Sequence, residues 1–166
     1  MTLTNSTDRK SSLLRRAGVV TLAAAAAAAG FAGPATALPT DPEVQFTPTI
    51  SRTPGANCAA IINAWTVPQP QSGQFGVKVE ITQTGDSCQL YRIAVRWRNL
   101  DTGYSDGQSH AVENGELRHA PDGVITGMGM GPGAGRVEAW IVTTDDSLPQ
   151  HQELEHISGR ATFTLG

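Results

Sequence analysis

The chain has 166 residues, with 12 Lys and Arg against 15 Asp and Glu and two cysteines. From Leu38 onward eight Lys and Arg face fourteen Asp and Glu, a net charge of −6 that argues against phosphate-backbone binding as a main task. No nucleic-acid partner is therefore expected, and no run after the N-terminal segment is long and apolar enough to span a bilayer.

Residues 1–37 read as a signal peptide. Arg9, Lys10, Arg15 and Arg16 form a basic head, the run 17–33 carries no charge, and Ala35-Thr36-Ala37 supplies an A-x-A cleavage pattern. Sec export is expected, and the Arg15-Arg16 pair leaves the twin-arginine route open. Residues 38–45 follow as a flexible leader, and 46–166 as a single secreted domain large enough to fold alone. Cys58 and Cys88 both fall in the exported part. In an oxidising compartment such a pair is expected to close a disulfide, which removes both thiols as nucleophiles and as copper ligands.

Period-two alternation dominates the domain and no long 3.6-residue stripe appears. The run "NCAAIINAWTV" (57–67) is apolar on both faces. A short helix capped by Asn57 is one reading; its β-branched residues Ile61, Ile62, Thr66 and Val67 favour a central strand. The loop "PQPQSG" leads from it to a strand at 75–83, in which Val77, Val79 and Ile81 face in. The turn "TGDS" (84–87) then returns Cys88 beside Cys58. In "LYRIAVRWRN" Tyr91, Ile93, Val95 and Trp97 face in, with Arg92, Arg96 and Arg98 out. The final strand puts Ala161, Phe163 and Leu165 inward.

Two turn signals set registers in the second half. Asn114-Gly115 predicts a two-residue hairpin pairing Val112 with Leu117 and His110 with His119. Asp122-Gly123 predicts a second, pairing Leu117 with Met128. A turn at 131–134 then sets Gly129 opposite Arg136 and Gly127 opposite Glu138. On this reading the stretch "GMGMGPGAG" (127–135) is a strand whose glycines lie on the wet face and whose methionines point into the core. A phosphate-cradling loop is disfavoured, because no helix and no Lys-Ser/Thr follow it.

Several clusters could carry chemistry. His110 and His119, facing each other with Met128 one strand away, would make a copper-type ligand set of imidazole and thioether. The plainer alternative is two partly buried neutral histidines, hydrogen-bonded to each other or to Thr126. Asp145, Asp146, Glu153 and Glu155, with His151 and His156, could bind calcium, but the EF-hand order is absent and a solvated acidic loop is favoured. Arg92, Arg96 and Arg98 could grip an anionic glycan or teichoic-type polymer unless Glu80 and other acidic neighbours neutralise them. No Gly-x-Ser-x-Gly occurs, and the registers bring no serine, histidine and carboxylate together.

The expected architecture is an all-β, antiparallel β-sandwich of about seven to eight strands, immunoglobulin-like in size, with one disulfide. The leading expectation for function is a secreted or cell-envelope-associated, non-enzymatic binding or interaction module, without cofactor, whose partner is an envelope glycan or another protein. An extracytoplasmic copper-handling protein using His110, His119 and Met128 is the alternative, and a small secreted hydrolase the third.

Overall fold

Alternation and β-branching dictate the architecture seen in the computed structural model, which describes residues 43–120 and 122–166. The expected signal peptide and residues 38–42 of the leader lie outside the described residues. Ten strands occur, β1 (Thr49–Arg52), β2 (Ala59–Pro68), β3 (Phe75–Thr84), β4 (Tyr91–Asn99), β5 (Ser105–Glu113), β6 (Glu116–Leu117), β7 (Val124–Ile125), β8 (Gly135–Asp145), β9 (His156–Ile157) and β10 (Arg160–Leu165). They form two antiparallel five-stranded sheets, β7-β3-β2-β1-β9 and β10-β8-β4-β5-β6. The all-β sandwich and its disulfide are as expected. The strands beyond the expected seven or eight are the four-residue β1 and the two-residue β9, too short to leave a clear alternation in the sequence.

The long strands follow the hydrophobic pattern. β2 lies between β1 and β3, with one face buried and the other, where Ile61 is 47 % exposed, turned outward. Its Ala60, Ile62 and Ala64 are buried against Val77 and Val79 of β3 and the inner residues of the second sheet. In β4 Tyr91, Ile93, Val95 and Trp97 are each 1 % exposed or less. Full burial of side chains this size contributes about 1.5–3 kcal/mol apiece. Phe75 and Phe163 meet edge to face, with centroids 5.0 Å apart. Cys58, just before β2, and Cys88, just past the bend that ends β3, are bonded with Cα atoms 5.6 Å apart.

The N-terminal segment ties the two sheets together. Val44 and Gln45, assigned above to the leader, already lie along β2: Thr66 N donates to Val44 O at 2.9 Å, and Gln45 bridges Trp65. At Thr47 the chain turns to the other sheet, where Thr47 N donates to Arg160 O at 3.0 Å and its hydroxyl accepts from Arg160 N at 2.9 Å. From Thr49 it rejoins β2 as β1.

The registers predicted around 110–138 hold only in part. Asn114-Gly115 does form the β5–β6 hairpin, with Val112 opposite Leu117 and Glu113 opposite Glu116. One further rung follows, Arg118 N to Ala111 O at 2.8 Å. His119 then takes φ 60° and swings the chain away, so the His110–His119 pair does not form. Asp122-Gly123 makes no hairpin with β6. β7 instead crosses to the first sheet and pairs with β3, Val77 opposite Ile125. Turn chemistry is local, whereas the choice of partner is tertiary: the crossing closes the bare edge of β3 and buries Ile125 completely.

Nor is 127–135 a strand. Met128–Met130 form a single 3-10 turn. Met130 is 1 % exposed, as an inward methionine should be, but Met128 is fully exposed. Gly129 lies against the backbone of β5, where a Cβ would collide with Gly107 O, and its carbonyl accepts from Trp97 Nε1 at 2.6 Å. The partners of β8 are therefore β4 and β10 rather than the glycines. Glu138 sits opposite Arg98 and Thr162, and Arg136 opposite Thr164.

Candidate functional site

The outward residues of the second sheet form its most distinctive surface. Strand alternation turns Arg92, Ala94, Arg96 and Arg98 of β4 away from the core, and the ladder sets them beside the outward residues of β8, β10 and β5. One row across the sheet reads Gly107, Arg96, Trp140, Arg160. The next reads Ser105, Arg98, Glu138, Thr162. With Arg92 and Arg136, this face holds five of the eight Lys and Arg found after residue 37. Its strands contribute Glu138 and, at the far edge, the opposed pair Glu113 and Glu116 as outward acids.

The five arginines are not equivalent. Arg92 is structural: Nε donates to Ser109 Oγ at 3.1 Å, Nη1 to Asp146 Oδ1 at 3.0 Å, and Nη2 to Ser109 O at 3.4 Å. Arg136 Nε meets Asp101 Oδ1 at 3.4 Å. Arg160 lies over Trp140, its guanidinium carbon 5.7 Å from the ring centroid, and reaches Glu138 Oε1 at 3.2 Å. That contact removes the one acid directly opposite Arg98. Arg96 and Arg98 are exposed and, among the described residues, neither forms an ion pair. Glu80, considered above as their neutralising neighbour, belongs to β3 in the other sheet, opposite Asn63. Asp146 fills that role instead, and only for Arg92.

The rim of this face is held by two loops pinned to one buried side chain. Asn99 is fully buried. Its Nδ2 donates to Pro132 O at 3.0 Å and Ala134 O at 3.1 Å, and its Oδ1 accepts from Asp101 N at 2.9 Å and Thr102 N at 3.1 Å. All the amide's main capacity is used, so the group is cheap to bury. Asp101, fixed in this way, accepts the backbone N–H of Arg136 at 2.8 Å. That bond, aided by the Arg136 guanidinium, holds its carboxyl below the ordinary value of 3.8.

His110 and His119 line one shallow depression of about 390 Å³ with Arg92, Ser109, Arg118 and Asp146. Met128 does not line it. His110 Nδ1 lies 3.3 Å from Arg118 O, an acceptor that places the ring proton on Nδ1. Its Nε2 is buried without a hydrogen-bond partner. The lone pair a metal would need is thus out of reach of solvent, while His119 sits exposed on the turn. Among the described residues no three His, Cys, Asp or Glu side chains group to hold a metal ion.

The acidic loop closes on itself. Asp145 Oδ1 accepts from Gln152 N at 2.7 Å and its Oδ2 from Ser147 Oγ at 2.8 Å, which lower its pKa from 3.8. His156 meets Glu153 at 3.6 Å, and Arg52 meets Glu155 at 3.9 Å. A cleft of about 670 Å³ between the sheets at the disulfide end is lined by Thr53, Pro54, Leu90, Asp145 and Leu154 among others. Tyr91, buried in β4, has an unpartnered hydroxyl whose pKa burial pushes up, so it stays neutral.

Trp140 and Arg160 were not singled out from the sequence. The alternation of β8, with Val137 and Ile141 inward, does turn Trp140 outward. Its place between Arg96 and Arg160 depends on cross-strand registers that no local turn signal specifies. Comparison with protein-family models, with curated proteins and with solved structures finds no match.

Proposed function

We propose that this chain is an extracytoplasmic, non-catalytic binding module that grips an anionic polymer with the outer face of its second sheet. One observation carries the reading. Arg96 and Arg98 stand exposed and without acidic partners, on a face holding most of the cations of an otherwise acidic domain. Exposed cations scattered at random over such a domain would meet its surplus carboxylates. These two are kept free because Arg160 takes Glu138 and Arg92 takes Asp146.

The geometry suits an extended ligand. Arg96 and Arg98 are two residues apart on one strand face, about 7 Å along the strand. Arg160 and Trp140 extend the same surface sideways, and the guanidinium forks offer paired donors to carboxylate, sulfate or phosphate oxygens. A flat sheet face without an enclosed cavity fits a polymer better than a small molecule. The disulfide is compatible with an oxidising, extracellular compartment.

The test is retention of the protein on polyglycerol phosphate and on an acidic polysaccharide, with a neutral glycan as control. Affinity should fall steeply with salt, and Arg96→Ser with Arg98→Ser should abolish it while leaving the melting temperature unchanged. Absence of binding at low salt, or undiminished binding by the double variant, would overturn the reading.

A further inference from the structure

The opposite outer face, that of the first sheet, carries a feature of another kind. Ile50 in β1 is register-paired with Ile61 in β2 on one side and with Ile157 in β9 on the other. All three point to solvent, 50 %, 47 % and 68 % exposed. Neighbouring strands are about 4.8 Å apart, so the three side chains merge into a ridge about 10 Å long. Isoleucine favours a strand surface, but three exposed in one continuous row exceed what strand propensity requires. Beside the ridge, with Ile50 and Ile157 forming part of its wall, runs a groove of about 460 Å³ that Arg52, Ala59, Glu155 and His156 also line.

We infer that this face is the contact between two copies of the chain. A ridge and a groove lying side by side on one surface are self-complementary. A two-fold axis in the face, parallel to the row and between the two, sets the ridge of each copy into the groove of the other. The size is at the small end: the ten-residue β2 and β3, the four-residue β1 and the two-residue β9 present about 420 Å² in flat projection, to which standing side chains add, against about 600 Å² of accessible surface per partner in the smallest stable interfaces. The anatomy fits. Along the strand direction the apolar row lies between charged flanks, with the exposed Arg52–Glu155 pair at one side and Glu80 and Lys78 at the other. Pairing through strand edges is disfavoured on this sheet, because its edge strands β7 and β9 have two residues each.

Sedimentation velocity of the disulfide-bonded chain over about 1–200 μM tests this, a range set by the micromolar affinity that an interface of this size supports. The wild type should shift from monomer to dimer with concentration. Ile61→Lys should raise the dimer dissociation constant about 100-fold or more, as expected for truncating the centre of an interface. Ile157→Lys, on the short edge strand, should do the same, and both should keep the wild-type circular dichroism and melting temperature. Arg96→Ser, on the far face, should dimerise normally. A wild type that stays monomeric throughout, or association unaltered by both lysine variants, overturns the inference. So does a monomer that binds phosphatidylglycerol vesicles through Ile61, which would make the row a lipid contact.

Discussion

Gly129→Ala tests the close approach of two backbones in the second sheet. Read as a strand-surface glycine, position 129 would accept alanine or even threonine. In the folded protein a methyl there lands on Gly107 O and within 3.1 Å of Gln108 Oε1. Gly107 cannot recede, since it is paired with Arg96 in the middle of the β4–β5 ladder. The turn cannot lift without stretching the 2.6 Å bond from Trp97 Nε1 to Gly129 O. Forcing a methyl into a filled space costs about 1–3 kcal/mol. Weakening a buried indole bond adds about 1 kcal/mol. The substitution should therefore destabilise by about 2–4 kcal/mol. For a domain this size each kcal/mol lowers the melting temperature by about 4 °C, so a fall of about 8–16 °C is expected. Urea unfolding followed by tryptophan fluorescence and circular dichroism reads the difference. Met128→Ala, one residue away and fully exposed, should change stability by less than about 0.5 kcal/mol. If Gly129→Ala were as mild as that control, the packing of this turn against β5 would be wrong.

Replacing both Cys58 and Cys88 by alanine should cost about 3–4 kcal/mol in equilibrium unfolding, from the entropy of opening a loop with a sequence separation of 30. Arg92→Ala should lower stability measurably, by about 1–3 kcal/mol, because it strands Asp146 and Ser109, whereas Arg96→Ala should be neutral in the same thermal melt. Asp101 and Asp145 have folded-state pKa values held below 3.8, so their contribution is present above that value and lost as pH falls through the lower, folded ones. The melting temperature should thus drop below about pH 4, and Asp101→Asn should flatten part of that drop. Copper, as Cu(I) or Cu(II), should produce no saturable rise in melting temperature; a rise abolished by His119→Ala would restore a ligand role for that residue.

What the sequence revealed is what periodicity can encode. The long strands β2, β3, β4 and β10 and their inward residues were legible, because burial of one face imposes alternation. The disulfide and the Asn114-Gly115 hairpin were legible for equally local reasons. Partner choice was not. Asp122-Gly123 has the composition of a hairpin turn, yet the residues after it left for the other sheet to cover β3. The glycines at 127 and 129 alternate as a strand would, but their spacing serves a tight turn under Trp97. Arg92, Arg96 and Arg98 were correctly placed on one face. Which of them is spoken for depends on Asp146 and Glu138, which are 54 and 40 residues further along the chain from Arg92 and Arg98 respectively. Asn99 carried no signal at all, since an asparagine at a strand end reads as an ordinary loop residue until its four partners are known.

The segregation of arginines onto one broad face makes net charge a poor guide to how this molecule adsorbs. With an excess of six carboxylates after residue 37, it should bind an anion exchanger at neutral pH. It should also be retained by a cation exchanger in dilute buffer, because potential near a surface is set by the charges within a Debye length, about 10 Å at 0.1 M salt, and not by the total. The same asymmetry gives the domain a dipole that exerts a torque as it approaches a charged wall. Near a polyanionic layer it would turn its second sheet inward before touching, and the isoleucine row of the first sheet would be left facing away from the layer.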